Sequence, residues 1–201
     1  MPVPVTLSQE FDEVIRPWKL LEHPFYRAWT AGTLPIEALR SYAREYGAFI
    51  ARLADGWKSV GNTQHADEER QHAALWEDFV EALGAQVGEP AIPEVKSLLE
   101  TCDDLFNEPD QAWGALYAFE AQQPATSASK LAGLAAFYDL PTRAGAYFEV
   151  HANDTYEADM IIEHLRGATE EARHAALRAC RTMAESLWNA LSGVHALYCP
   201  N

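Results

Sequence analysis

The amino-acid sequence predicts an all-α fold, and three observations carry that reading. Apolar residues recur at three- and four-residue intervals through most of the 201 positions, the period of a helix with one buried face. The strict alternation of a half-buried strand occurs nowhere. Pro and Gly gather between the periodic stretches, where helices begin and end. Together these predict a helical bundle of seven or eight helices in one domain over residues 1–201.

The elements follow in order. Thr6 and Gln9 have capping-box spacing, so a first helix turns Phe11, Val14, Ile15 and Trp18 inward. His23-Pro24 opens a short helix over Phe25–Trp29 that Gly32 stops. Thr33-Leu34-Pro35 starts a long helix whose stripe reads Ile36, Leu39, Tyr42, Tyr46, Phe49, Leu53, Trp57 and Val60, ended by Gly61-Asn62. Another runs from Thr63 to Leu83. A loop with Pro90 and Pro93 leads to a helix over Pro93–Phe106. After the turn Asn107–Asp110, a helix over Gln111–Gln123 aligns Trp113, Leu116, Tyr117 and Glu120, and Pro124 breaks it. Ser127–Tyr138 is helical. Thr142–Leu165 reads as one regular helix through Tyr147, His151, Asp154, Ala158, Ile161 and Leu165. The last helix spans Ala168–Leu191.

Composition narrows the function. Hydrophobic residues make up 48%, with six Trp, eight Tyr and eight Phe, enough for a sizeable core. Thirty acidic against 15 basic residues give a net charge of −15, which repels nucleic acid and anionic membranes. Three separated cysteines form no disulfide framework, and Cys102 and Cys180 sit at apolar positions. Met1 to Ser8 has no basic start and no long apolar run, unlike a signal peptide, and no stretch is long enough to span a membrane. The expectation is a soluble cytoplasmic protein.

Polar residues interrupt three inward stripes. On the Thr63–Leu83 helix the stripe of Trp76, Phe79 and Leu83 continues backward through His72, Glu69 and His65. Glu120 extends the Trp113–Leu116 stripe, and His151 and Asp154 interrupt the next. Buried charge is costly unless paired or metal-bound. Each residue alone has an ordinary reading as a core histidine or a helix-end acid. Their joint occurrence, with Glu-x-x-His on one helix, points to a mixed imidazole and carboxylate site for iron or manganese. Tyr42 and Tyr46 lie on the long helix, where one could orient substrate or carry an electron. No phosphate loop, Gly-x-Ser-x-Gly or Cys/His nucleophile spacing is present.

Several ordered blocks resemble the haem-oxygenase-like superfamily, in the branch holding thiaminase-like TenA proteins, the pyrroloquinoline-quinone synthase and the chlamydial protein associating with death domains. They are Leu21–Tyr46, His72–Gly84, Tyr117–Pro124 with Ser127-x-x-Lys130-x-x-Gly133, Tyr147–His151 and Leu187–Val194. The metal-binding members resemble this chain most. The resemblance implies a di-iron or Mn/Fe oxidase or oxygenase that uses O2 on a small-molecule substrate, as a homodimer. His72, Glu120 and His151 match that group's ligands. Glu68 or Glu69 supplies the first carboxylate, with stripe geometry favouring Glu69. The group's terminal Asp and His fall on Thr155 and Ala158, so Asp154 stands as the nearest carboxylate and His65 as a replacement imidazole. Two alternatives stay open: a metal-poor binding protein on the same fold, and a thiaminase-like hydrolase using Glu185, for which no nucleophilic Cys is evident.

Overall fold

A computed structural model describes residues 6–199 of the chain; the expectation for Met1 to Val5 lies outside them. Thr6 forms the capping box, its N–H donating to Gln9 Oε1 at 2.8 Å and its Oγ1 accepting Gln9 N–H at 3.3 Å, at the head of α1 (Leu7–Ile15). The other helices are α2 (Pro24–Thr30), α3 (Ile36–Ser59), α4 (Thr63–Ala82), α5 (Pro93–Phe106), α6 (Pro109–Glu120), α7 (Gln123–Phe137), α8 (Ala146–His151), α9 (Tyr156–Gly167) and α10 (Glu170–Tyr198). Eight of them have nine residues or more, and no strand occurs among the described residues. The fold is the all-α bundle expected. Among the described residues no helix is long and apolar enough to cross a membrane.

One continuous buried cluster runs from Phe11 to Val194 and includes Cys102 and Cys180. Two helix pairs dominate the packing: α10 along α6, and α3 along α4. The first pair approaches closely enough that a Cβ on Gly114 would overlap the Ala176 carbonyl, so only glycine fits there. The second is pinned by Trp76, whose indole N–H donates to Ala43 O at 2.8 Å. Buried Glu45 on α3 holds the loop before α5, accepting the N–H groups of Ala91 and Ile92 at 2.8 and 3.0 Å. These contacts set the facing walls from which the polar residues project.

Three boundaries differ from the sequence reading. α6 stops at Glu120, and Pro124 sits in the first turn of α7, where its missing N–H is harmless. α10 continues past Leu191 to Tyr198 because Gly193 does not end it. That glycine instead admits Ile92, whose Cγ2 would lie 2.8 Å from an added Cβ. Most consequentially, Thr142–Leu165 is not one helix. A 3-10 turn over Thr142–Gly145 leads into α8, and the helix breaks after His151 and restarts at Tyr156. Asn153, Asp154 and Thr155 fill the break. Their short polar side chains compete for nearby backbone groups and favour helix starts over helix interiors.

Candidate metal centre

Gly61 turns the chain at φ +80°, and Asn62 caps α4 by accepting His65 N–H at 3.2 Å. This cap fixes the α4 face on which His65, Glu69 and His72 lie one turn apart. His65 and Glu69 are buried, and Glu69 is only 3% exposed. Glu68 stands at the mouth, half exposed, with Oε2 3.8 Å from His65 Nε2. Of the two candidate carboxylates, Glu69 is therefore the inward one.

His72 and Glu69 form a pair, His72 Nδ1 and Glu69 Oε1 being 3.3 Å apart. With the proton on Nδ1 donated to the carboxylate, Nε2 keeps a free lone pair, the arrangement metal-bound histidines commonly adopt. The same contact, ahead of the opposing effect of burial, raises the His72 pKa. His151, at the end of α8, lies edge-on to His72 with ring centroids 4.6 Å apart. Burial, then His72 and Lys130, push the His151 imidazole down to about 3, so it is neutral and its ring nitrogen lone pair is available to a metal ion.

Glu120 is the last residue of α6 and is 4% exposed. A carboxylate there faces the negative end of the helix dipole. Burial raises its pKa well above the usual carboxylate range. Glu69 and Glu157 add repulsion, the nearby Trp57 indole opposes it, and Asp154 contributes last. Glu69 Oε2, Glu120 Oε1, His65 Nδ1 and His151 Nε2 are all buried without a hydrogen-bond partner. Four orphaned lone-pair donors in one region are expensive for a protein that needs only stability. They match the donor chemistry of iron, so the residues present fit such an ion. Among the described residues no three His, Cys, Asp or Glu side chains already converge on one point, so the donors line the region without closing a cage.

Asp154 is exposed, and its Oδ1 accepts Tyr156 N–H at 3.0 Å. The break after His151 therefore takes it off the His151 face on which a continuous helix would have put it. The same break turns Glu157, half-buried, into a cleft of about 450 Å³ lined by His65, Glu68, His72, Asp154 and Tyr156. Ala158 is partly buried against the core. Sequence reasoning passed over Glu157, although Asn153-Asp154-Thr155 carries the signal for a helix start just before it.

Tyr42 and Tyr46 are buried, and burial raises both phenols well above their usual range. They do not touch the histidines directly. Tyr42 lies 5.6 Å from Trp76, Trp76 4.9 Å from Tyr147, and Tyr147 4.6 Å from His151, centroid to centroid. Tyr147 is held by Gln123, whose Nε2 donates to its Oη at 2.7 Å. Lys130 was also missed as a site residue. It is 2% exposed, its Nζ 5.0 Å from the centroid of Phe148, 5.5 Å from Tyr26 and 5.7 Å from Tyr42, and burial pushes its amine down to about 7. Its sequence signal was a lone lysine on a small-residue helix. Glu185, the acid of the thiaminase-like alternative, is exposed on α10 and does not line the cleft that holds Glu157.

The family model described as iron-containing redox enzyme matches residues 63–198, from the start of α4 through α10. This chain belongs to that family. The chain is 35% identical to a 4-aminobenzoate synthase of Nitrosomonas europaea, over 98% of this chain and 94% of the relative. A 4-aminobenzoate synthase of Chlamydia pneumoniae is 29% identical, over 90% and 91%. Among solved structures, a heme oxygenase-like domain of unknown function from Shewanella denitrificans superposes with a TM-score of 0.80 at 18% identity, covering 98% of this chain and 94% of that one. A TenA homologue from P. horikoshii gives 0.75 at 12%, covering 96% and 99%. The haem-oxygenase-like fold and the resemblance to its iron-using branch are thus both borne out. The enzyme is an iron-dependent oxidoreductase, which sets aside the metal-poor binding protein.

Proposed function

We propose that His65, Glu69, His72, Glu120 and His151 hold the enzyme's iron, as two ions or an Mn/Fe pair. With O2 as co-substrate, the enzyme oxidises a small organic molecule to 4-aminobenzoate. The buried, unpartnered donors on α4, α6 and α8 carry the metal reading. The product follows from the named relatives, which match this chain over nearly its whole length. When bound, iron supplies the redox chemistry toward O2.

The chain's own residues do the rest. Glu69 orients His72 through the Nδ1 contact. Glu120, its carboxyl held toward the protonated form by burial, can keep or give up a proton as charge in the site changes. Tyr147, Trp76, Tyr42 and Tyr46 line an aromatic route from His151 toward the core. On this reading Tyr42 or Tyr46 positions the substrate or relays an electron. Glu68 and Asp154 stay at the mouth, where they screen charge.

The same proposal takes the chain as one haem-oxygenase-like domain, homodimeric and cytoplasmic. Purified protein loaded with ferrous iron and given O2 and a reductant should form 4-aminobenzoate, detected by mass spectrometry, and should restore growth of a 4-aminobenzoate auxotroph. Protein that retains iron yet yields none in either assay refutes the product. His72→Ala and Glu120→Ala should each abolish iron retention; unchanged metal content in both refutes the ligand set.

A further inference from the structure

The residues assigned so far leave the mouth of the site lopsided. His65 carries an orphaned, buried Nδ1, and its side chain is 10% exposed. The carboxylate nearest to it, Glu68, lies at the solvent edge, its Oε1 accepting from exposed Gln64 Nε2 at 3.1 Å and its Oε2 3.8 Å from His65 Nε2. Asp154 is engaged by the backbone of α9. Across the cleft stands Glu157, on the first turn of α9, lining the same wall as His65 and His72. It makes no salt bridge among the described residues. Its charge is felt by Glu120 and His72 on two different helices. Tyr156 lies nearly parallel to the His65 ring, centroids 5.8 Å apart and planes 16° apart, which sets the start of α9 beside His65 of α4.

Charge counting leads to the same residue. Two divalent ions carry four positive charges, and Glu69 and Glu120 supply two negative ones. A third carboxylate at the mouth brings the balance nearer to neutral, as carboxylate-rich sites require. We infer that Glu157 is a metal-ligating carboxylate, facing His65 across the mouth cleft, so that the outer ion is gripped between α4 and α9. The inference rests on the metal reading above but assigns a residue that reading does not use. It also gives the helix break after His151 a purpose: the break re-aims α9 so that position 157 enters the site.

The test uses apo-protein and Co(II) alone, followed by equilibrium dialysis and by the visible absorption of bound cobalt. The wild type should bind two equivalents. Glu157→Gln and His65→Ala should each weaken the second equivalent by about tenfold or more and change the cobalt spectrum, whereas Glu149→Gln, on the exposed side of α8, should do neither. The charge-conserving exchange H65E/E157H should recover most of the second equivalent that H65E or E157H alone loses. Circular dichroism confirms that each variant is folded. If the wild type binds two equivalents and Glu157→Gln binds both as tightly with an unchanged spectrum, the inference is overturned. If the wild type binds no cobalt at all, the underlying metal reading fails instead.

Discussion

Lys130 offers the sharpest quantitative test of the site's interior. Burial brings its amine from 10.5 to about 7, while four aromatic rings lie within reach of Nζ, the nearest 5.0 Å away and the farthest 6.0 Å. Cation–π attraction favours the charged form by about 2 kcal/mol when desolvated. Desolvation outweighs it, so the amine is about half neutral at pH 7 and largely neutral above it. The sign then follows. A lysine with a lowered folded pKa holds fewer protons folded than unfolded between about 7 and 10.5, so stability rises with pH across that window and is lost as pH falls toward 7. Each pH unit corresponds to about 1.4 kcal/mol. Replacing Lys130 with Met removes the whole dependence and keeps the volume. The variant should be more stable than the wild type near pH 7, and its advantage should shrink by about 3 kcal/mol between about pH 7 and 9.5, as an upper limit. Urea unfolding of both apo-proteins at the two pH values measures this, and titrating tyrosines and histidines cancel in the difference. An advantage that stays constant across pH would refute the reasoning, because the amine would then be charged and solvated in the folded state.

Two further outcomes are expected. Glu120→Gln removes a carboxylate whose folded pKa is raised by burial and by Glu69. A raised carboxylate costs stability increasingly as pH climbs above its unfolded value of 4.5. The apo-variant should therefore melt higher at neutral pH, by about 1–3 kcal/mol, with the gain vanishing toward acid, even as it loses iron. Thermal melts at neutral and acid pH check this, and a destabilised apo-variant at neutral pH would contradict it. Gly114→Ala should cost about 3 kcal/mol or more, because its Cβ meets the Ala176 backbone of α10, which cannot rotate away; a chemical denaturation midpoint close to wild type would show that the helices can separate.

The helical period alone determined the class of this protein and most of its helices. Such periodicity is local and survives without knowledge of the partners each face meets. The polar interruptions at His65, Glu69, His72, Glu120 and His151 were legible for the same reason: a buried stripe that turns ionisable announces a cost, and four of these five residues carry a buried atom with no partner. His72 differs in being tied to Glu69.

What the local pattern could not decide was phase across a break. The positions from Tyr147 through Leu165 keep helical spacing whether or not the helix is continuous, so Asp154 was legible as an inward residue and Glu157 was not. Only the packing of α8 and α9 against α4 and α6 exposed the first and turned in the second. Lys130 was hidden differently. Nothing adjacent to it in the chain signals burial; its aromatic surroundings come from α2, α3, α4 and α8. The sequence by itself determined most of the residues that could serve a metal, though not Glu157. Tertiary structure decided which of them face one another, because that depends on helix ends and interhelical distances set by contacts far apart in the chain.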